Sequence, residues 1–214
     1  MVFLRENSDV ATKKRIAISQ RYDQVPGRDE WRNALDAKWI ELLESIGFLP
    51  ILLPSHLSDV GGYLRDLAID GLILSGGNDI GTALPRDYIE TEALAYADEK
   101  NIPVLGICRG MQFLCKSKGG NLQPCEGHVA RYHKLQGEWA QENGFIEVNS
   151  YHNKAIFKDS IPACFDILAT TVDDVVEACR HKEKPWLGIM WHPEREYPFR
   201  HVDFTLIKHH FYNR

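Results

Sequence analysis

The chain has 214 residues, 44% of them hydrophobic and 26% charged, which is ordinary globular composition and excludes disorder as a description of the whole. A net charge of −5 gives no general basic field, so nucleic acid is not an expected partner. No apolar run approaches the ~20 residues of a membrane span, and MVFLRENSDVATKKR is too polar for a signal-peptide core, so a cytoplasmic, membrane-free protein of one domain (1–214) is expected.

Arg15 to Gln20 alternates and is β-branched, and reads as a first strand. From about Asp29 a helix is expected, because Trp31, Leu35, Trp39, Leu42, Leu43 and Ile46 recur at helical spacing. Gly47 ends it, Phe48 to Leu53 is a strand closed by Pro54, and Val60 to Leu67 suits a second helix. Ile69 to Leu74 is the next apolar run. Asp87 and Glu90 then have the spacing of a capping box, opening a helix to about Lys100. Pro103 to Ile107 is a further strand, followed by a helix from near Cys108 to Ser117. Phe145 to Val148, Phe165 to Ala169, Val175 to Cys179 and Trp186 to Trp191 read as strands, and Asp203 to Phe211 as a closing helix. Strands alternating with helices argue for an α/β fold, a mostly parallel sheet in a three-layer αβα arrangement.

Three segments carry chemistry. In Gly106-Ile-Cys108-Arg-Gly110 a cysteine sits between two glycines at a strand end and a helix start, the geometry of a nucleophile elbow. A helix N-terminus beneath the sulfur favours thiolate, the nucleophilic form. In Trp191-His192-Pro-Glu194 a histidine follows an apolar strand, and the acid two residues on can fix its tautomer. A surface turn with a solvated acid fits that segment equally. Gly76-Gly77, after an earlier strand, can aim an N–H of Gly77 at a developing oxyanion, together with the N–H of Arg109. Cys115, Cys125, Cys164 and Cys179 form no CxxC pair and read as free packing thiols. No ligand cluster with metal spacing is visible, and neither metal nor cofactor is expected.

In that order the three segments resemble the class I glutamine amidotransferase-like superfamily over nearly the whole chain. The resemblance implies a flavodoxin-like fold and a Cys108–His192–Glu194 triad. Gly106-Ile-Cys-Arg-Gly-Met-Gln112 is similar to the γ-glutamyl hydrolase branch (peptidase family C26); many glutaminase subunits have leucine at the position of Arg109. Val148-Asn149-Ser150-Tyr151-His152 is similar to that branch's glutamyl-gripping loop, so Gln112 and the backbone around Ser150 and Tyr151 are expected to hold the glutamyl group, next to Gly76. QRYD, PGRDEW, VNSYHN and MWHPERE also resemble members tied to capsule or surface-polysaccharide synthesis, among them hydrolases of γ-glutamyl-CDP-amidate. The implied reaction is cleavage of a γ-glutamyl amide through a γ-glutamyl thioester, releasing L-glutamate and an amine.

Arg21, Arg28, His128, Arg131 and His133 lie in stretches expected to border the pocket, where they would suit an anionic leaving group; ordinary surface charge explains them as well. Two alternatives stand beside the hydrolase. One is a glutaminase subunit feeding ammonia to a separate synthase, and the other a catalytically silent binding protein. The expected partner is a small γ-glutamyl compound, with a homodimer left open and a synthase only under the first alternative.

Overall fold

The structure, a computed structural model, describes residues 12–212, so most of the N-terminal segment read above lies outside it. Strand β1 (Arg15–Ser19) sends Ile16 and Ile18 to one face and Ala17 to the other, and all three are fully buried. The period of two of a strand thus places both hydrophobic cores from a single segment.

The chain then makes a small hairpin, β2 (Arg21–Gln24) against β3 (Trp31–Ala34), before helix α1 (Lys38–Ile46) and strand β4 (Leu49–Leu53). Helix α2 (Val60–Asp66), strand β5 (Gly71–Leu74), helix α3 (Leu84–Glu99), strand β6 (Val104–Ile107) and helix α4 (Arg109–Ser117) follow. The second half holds β7 (Gln123–Pro124), β8 (Val129–Lys134), helix α5 (Glu138–Glu142), β9 (Glu147–Tyr151) and β10 (Lys154–Ala155). Strands β11 (Phe165–Thr170), β12 (Val176–His181) and β13 (Trp186–Ile189) lead to a 3-10 turn at Pro193–Arg195 and helix α6 (His201–Tyr212).

Seven strands form the central sheet in the order β11-β12-β13-β6-β5-β1-β4. Strands β13, β6, β5, β1 and β4 are parallel, and β12 and β11 close one side in antiparallel pairing. On one face the core joins Trp39, Leu42 and Leu43 of α1, Ala140 of α5 and Ile207 and Phe211 of α6 to Ile73, Leu105 and Ile107 of the sheet. On the other, Val60 and Leu64 of α2, Ile89 and Ala93 of α3 and Met111 and Leu114 of α4 pack on Leu72, Leu74 and Val104. The expected three-layer α/β architecture is therefore observed. The parallel strands β1, β5, β6 and β13 end on one edge, where ligand sites form in such sheets.

Three local expectations are corrected. The helix expected from Asp29 begins only at Lys38, whose N–H donates to the Asp36 carboxylate at 3.0 Å. Before it, Pro26-Gly27 turns the chain into the β2–β3 hairpin, and Trp31 is 45% exposed and stacks on Tyr22 at 4.9 Å. Turn chemistry and a cross-strand aromatic pair outweighed a helical spacing that was accidental. The capping box also fails. Helix α3 starts at Leu84 with Pro85 in its first turn, so Asp87 and Glu90 lie inside it and serve ion pairs instead. Residues 129–134, given no strand in the sequence reading above, form β8 along β9.

Candidate active site

At the end of β6 the backbone of Cys108 adopts φ 51° and ψ −105°, a strained conformation held by a hydrogen bond from its N–H to Ile189 O at 2.8 Å. Helix α4 starts at the next residue, with the Gln112 N–H donating to Cys108 O at 3.0 Å. The turn is possible only because Gly110 lacks a side chain: a Cβ there would stand 1.9 Å from Leu74 O.

His192 and Glu194 follow β13 on the neighbouring strand. Both are almost fully buried, and His192 Nδ1 lies 2.7 Å from Glu194 Oε1. Burial pulls the imidazole down, but the Glu194 carboxylate and the neighbouring Cys108 thiol outweigh it, so His192 is raised to about 9. Asn149 clamps the backbone of this histidine. Its Oδ1 accepts the His192 N–H at 2.8 Å, and its Nδ2 donates to His192 O at 2.8 Å and to Glu196 Oε1 at 2.7 Å. A Cβ on Gly76 would come within 2.7 Å of His192 Cε1, so the glycine loop after β5 lies directly against the imidazole.

That loop rests on buried charge. Arg86, fully buried in α3, donates to Ser75 O at 2.7 Å and Gly76 O at 3.0 Å, turning these carbonyls toward α3. Glu90, also fully buried, pairs with Arg86 at 2.9 Å and with Arg109, and Arg109 reaches Asp87 as well. The arginine after Cys108 thus anchors the elbow to α3.

A cleft of about 300 Å3 is lined by Cys108, His192, Gly77, Arg109, Gln112, Tyr151 and His152. Arg21, Lys154 and Arg195 supply its cationic side. Lys154 pairs with Asp79, Arg21 with Asp23, and Arg195 lies over the Tyr151 ring at 4.3 Å. Gln112 reaches the cleft while its amide donates to Lys154 O at 2.8 Å. Ser150 is fully buried, its hydroxyl donating to His128 O at 2.7 Å, and the Asn149 side chain is spent on His192. Arg28 sits on the hairpin turn beside Glu30, and Arg131 is exposed on β8; neither lines the cleft. His128 and His133 instead meet Glu177 in a second cluster beside the cleft, and His128 also meets Cys125 and His152. The sequence reading missed Lys154, Arg195 and this cluster. Arg195 stood next to the His-Pro-Glu segment and was legible there; the cluster draws on four separate segments.

A mostly parallel sheet with a cysteine elbow, a His–Glu pair and a glycine loop on one edge defines an α/β protein of amidotransferase type. The chain belongs to the class I glutamine amidotransferase family, whose model matches residues 43–198. It is 33% identical over 210 residues to a γ-glutamyl-CDP-amidate hydrolase of Campylobacter jejuni, covering 90% of this chain and 98% of that protein. It is 32% identical over 136 residues to a glutamine-hydrolysing GMP synthase subunit of Methanothrix thermoacetophila, covering 61% and 70% of the two chains. Among solved structures, a Thermoplasma acidophilum protein described as a GMP synthase subunit has a TM-score of 0.71 at 23% identity, covering 93% of both chains. Among the described residues no helix is long and apolar enough to cross a membrane.

Proposed function

We propose that the protein hydrolyses the γ-glutamyl amide bond of a small γ-glutamyl compound, with Cys108 as nucleophile, His192 as general acid and base, and Glu194 holding the imidazole. The observation that carries the proposal is the buried His192–Glu194 pair at 2.7 Å beside the strained Cys108 elbow in one cleft. The family supports the reaction class, and the Campylobacter jejuni relative supports a γ-glutamyl nucleotide amidate as substrate.

The Cys108 sulfur attacks the γ-carbonyl, and N–H groups of Gly77 and Arg109 stabilise the oxyanion. His192, held protonated by its raised pKa, gives its proton to the departing amine. It then takes a proton from the water that splits the thioester, and glutamate leaves. Gln112, Tyr151 and His152 border the glutamyl end of the cleft; Arg21, Lys154 and Arg195 suit an anionic leaving group. Cys125, His152 and Glu177 form a second cysteine–histidine–carboxylate string, but burial and the charges of Glu177 and Asp173 push the Cys125 thiol up to about 11. That environment disfavours thiolate and makes Cys125 a poor nucleophile.

The test is glutamate release from L-glutamine, γ-glutamyl-aminobutyrate and γ-glutamyl-CDP-amidate, with Cys108→Ala and Cys125→Ser beside the native chain. The proposal expects turnover of an amide larger than glutamine, abolished in Cys108→Ala and retained in Cys125→Ser. Full activity in Cys108→Ala overturns it. Slow turnover of glutamine alone points to a protein that supplies ammonia to a synthase partner.

A further inference from the structure

The cluster beside the cleft has unanswered electrostatics. Glu177 is fully buried on β12, and neither of its carboxylate oxygens has a hydrogen-bond partner among the described residues. The same holds for His128 Nδ1, His133 Nε2 and His152 Nε2, all buried atoms. His152 Nε2 lies 3.4 Å and His128 Nδ1 3.8 Å from the same oxygen, Glu177 Oε1. His128, His133 and Glu177 can each bring one ligand atom within 4.8 Å of the others. A buried carboxylate left without compensation costs several kcal/mol. Protonating one imidazole would answer one oxygen and leave the other ring nitrogens unpartnered.

We infer that His128 Nδ1, His133 Nε2 and Glu177 form a three-ligand binding site for a divalent transition metal of the zinc type, with His152 Nε2 beside the carboxylate and the fourth position open to solvent. Tetrahedral zinc with bonds of about 2.0–2.1 Å has ligand-to-ligand edges of about 3.3 Å, within a small side-chain shift of the 3.8 Å between His128 Nδ1 and Glu177 Oε1. Two imidazoles and one carboxylate are borderline donors that suit zinc better than calcium or magnesium. The surroundings are those of a prepared ligand. Asp173 Oδ2 lies 2.9 Å from His128 Nε2, which places the proton there and the lone pair of Nδ1 toward Glu177. The Thr171 hydroxyl in turn donates to Asp173 at 2.5 Å. His152 stands beside the site, its Nε2 3.4 Å from Glu177 Oε1 and its Nδ1 facing Cys125 Sγ at 3.4 Å.

The metal would join the β8–β9 ribbon to β12 of the central sheet. That ribbon carries Asn149, which clamps His192, and Tyr151, which lines the cleft. The site is a structural bolt under the active-site wall, and no step of the hydrolysis runs through it.

The experiment measures metal on the full chain without any activity assay. Protein stripped with a chelator is titrated with Zn2+ and Co2+, then passed over a desalting column for elemental analysis and visible absorption. The inference expects one metal per chain, an intense tetrahedral Co2+ spectrum and a higher Tm with zinc. His133→Ala, on the half-buried edge of β8, and Glu177→Gln bind at least about tenfold more weakly. The exposed-residue control His56→Ala and the variant Cys125→Ser keep the metal. The inference is overturned if the native chain binds zinc and cobalt no more tightly than His133→Ala. Loss of the metal in Cys125→Ser overturns the ligand assignment.

Discussion

Glu194→Gln keeps the shape of the site and removes one charge. His192 Nδ1 stands 2.7 Å from this carboxylate, and the two side chains are 3% and 4% exposed. At an effective dielectric constant of about 20, unit charges ~4 Å apart interact by about 4 kcal/mol, worth about three pKa units. His192 should therefore fall from about 9 to below its ordinary 6.5, since the burial that lowers it is unchanged. The amide can also stabilise the wrong imidazole tautomer, a substitution that costs about 10⁴ in kcat in serine-protease triads. We expect kcat to fall by about 10³–10⁴ with KM little changed, read by glutamate release. A titration of the His192 ring by NMR reports the shift directly. Stability carries the same signature. A pKa raised in the folded state stabilises fully below the unfolded value near 6.5, and that stabilisation is lost as pH rises through about 9. The native chain should lose about 3 kcal/mol across that window, and Glu194→Gln should not. A variant with kcat within tenfold of native, or with His192 still near 9, would refute the reasoning.

Three further outcomes follow from the packing. Asn149→Ala removes three hydrogen bonds around His192 and should lower kcat about 10–100-fold while circular dichroism stays native. Gly110→Ala drives a Cβ to 1.9 Å from Leu74 O and should give insoluble protein or a markedly lower Tm; a native melting curve would show that the elbow has slack. Glu90→Gln leaves Arg86 and Arg109 buried without their shared carboxylate and should cost about 3–5 kcal/mol in urea unfolding.

The central sheet was legible because β1, β5, β6 and β13 are short apolar runs bounded by glycine, proline or a polar loop, and each is buried on both faces. Cys108 and His192 were legible because each follows such a strand directly, so position along the chain translates into position on the sheet edge. The β2–β3 hairpin was not, since Trp31 and Leu35 mimic the spacing of α1 while a turn at Pro26-Gly27 governs the local fold. The cationic wall was partly legible. Arg21 follows β1 and reaches the cleft, whereas Arg28 lies on the β2–β3 turn and Arg131 on the paired strand β8, and neither reaches it. The His128–His133–Glu177 cluster left no trace in residue spacing, because its members meet only when the β8 ribbon lies against β12.

The most direct measurement is to mix the protein with γ-glutamyl-CDP-amidate, quench with acid within the first turnovers and map the cysteines by peptide mass spectrometry. The account predicts a γ-glutamyl adduct on the peptide holding Cys108, formed in step with a burst of released amine. An adduct on Cys125, or rapid amine release with no cysteine modified at any time, would contradict it.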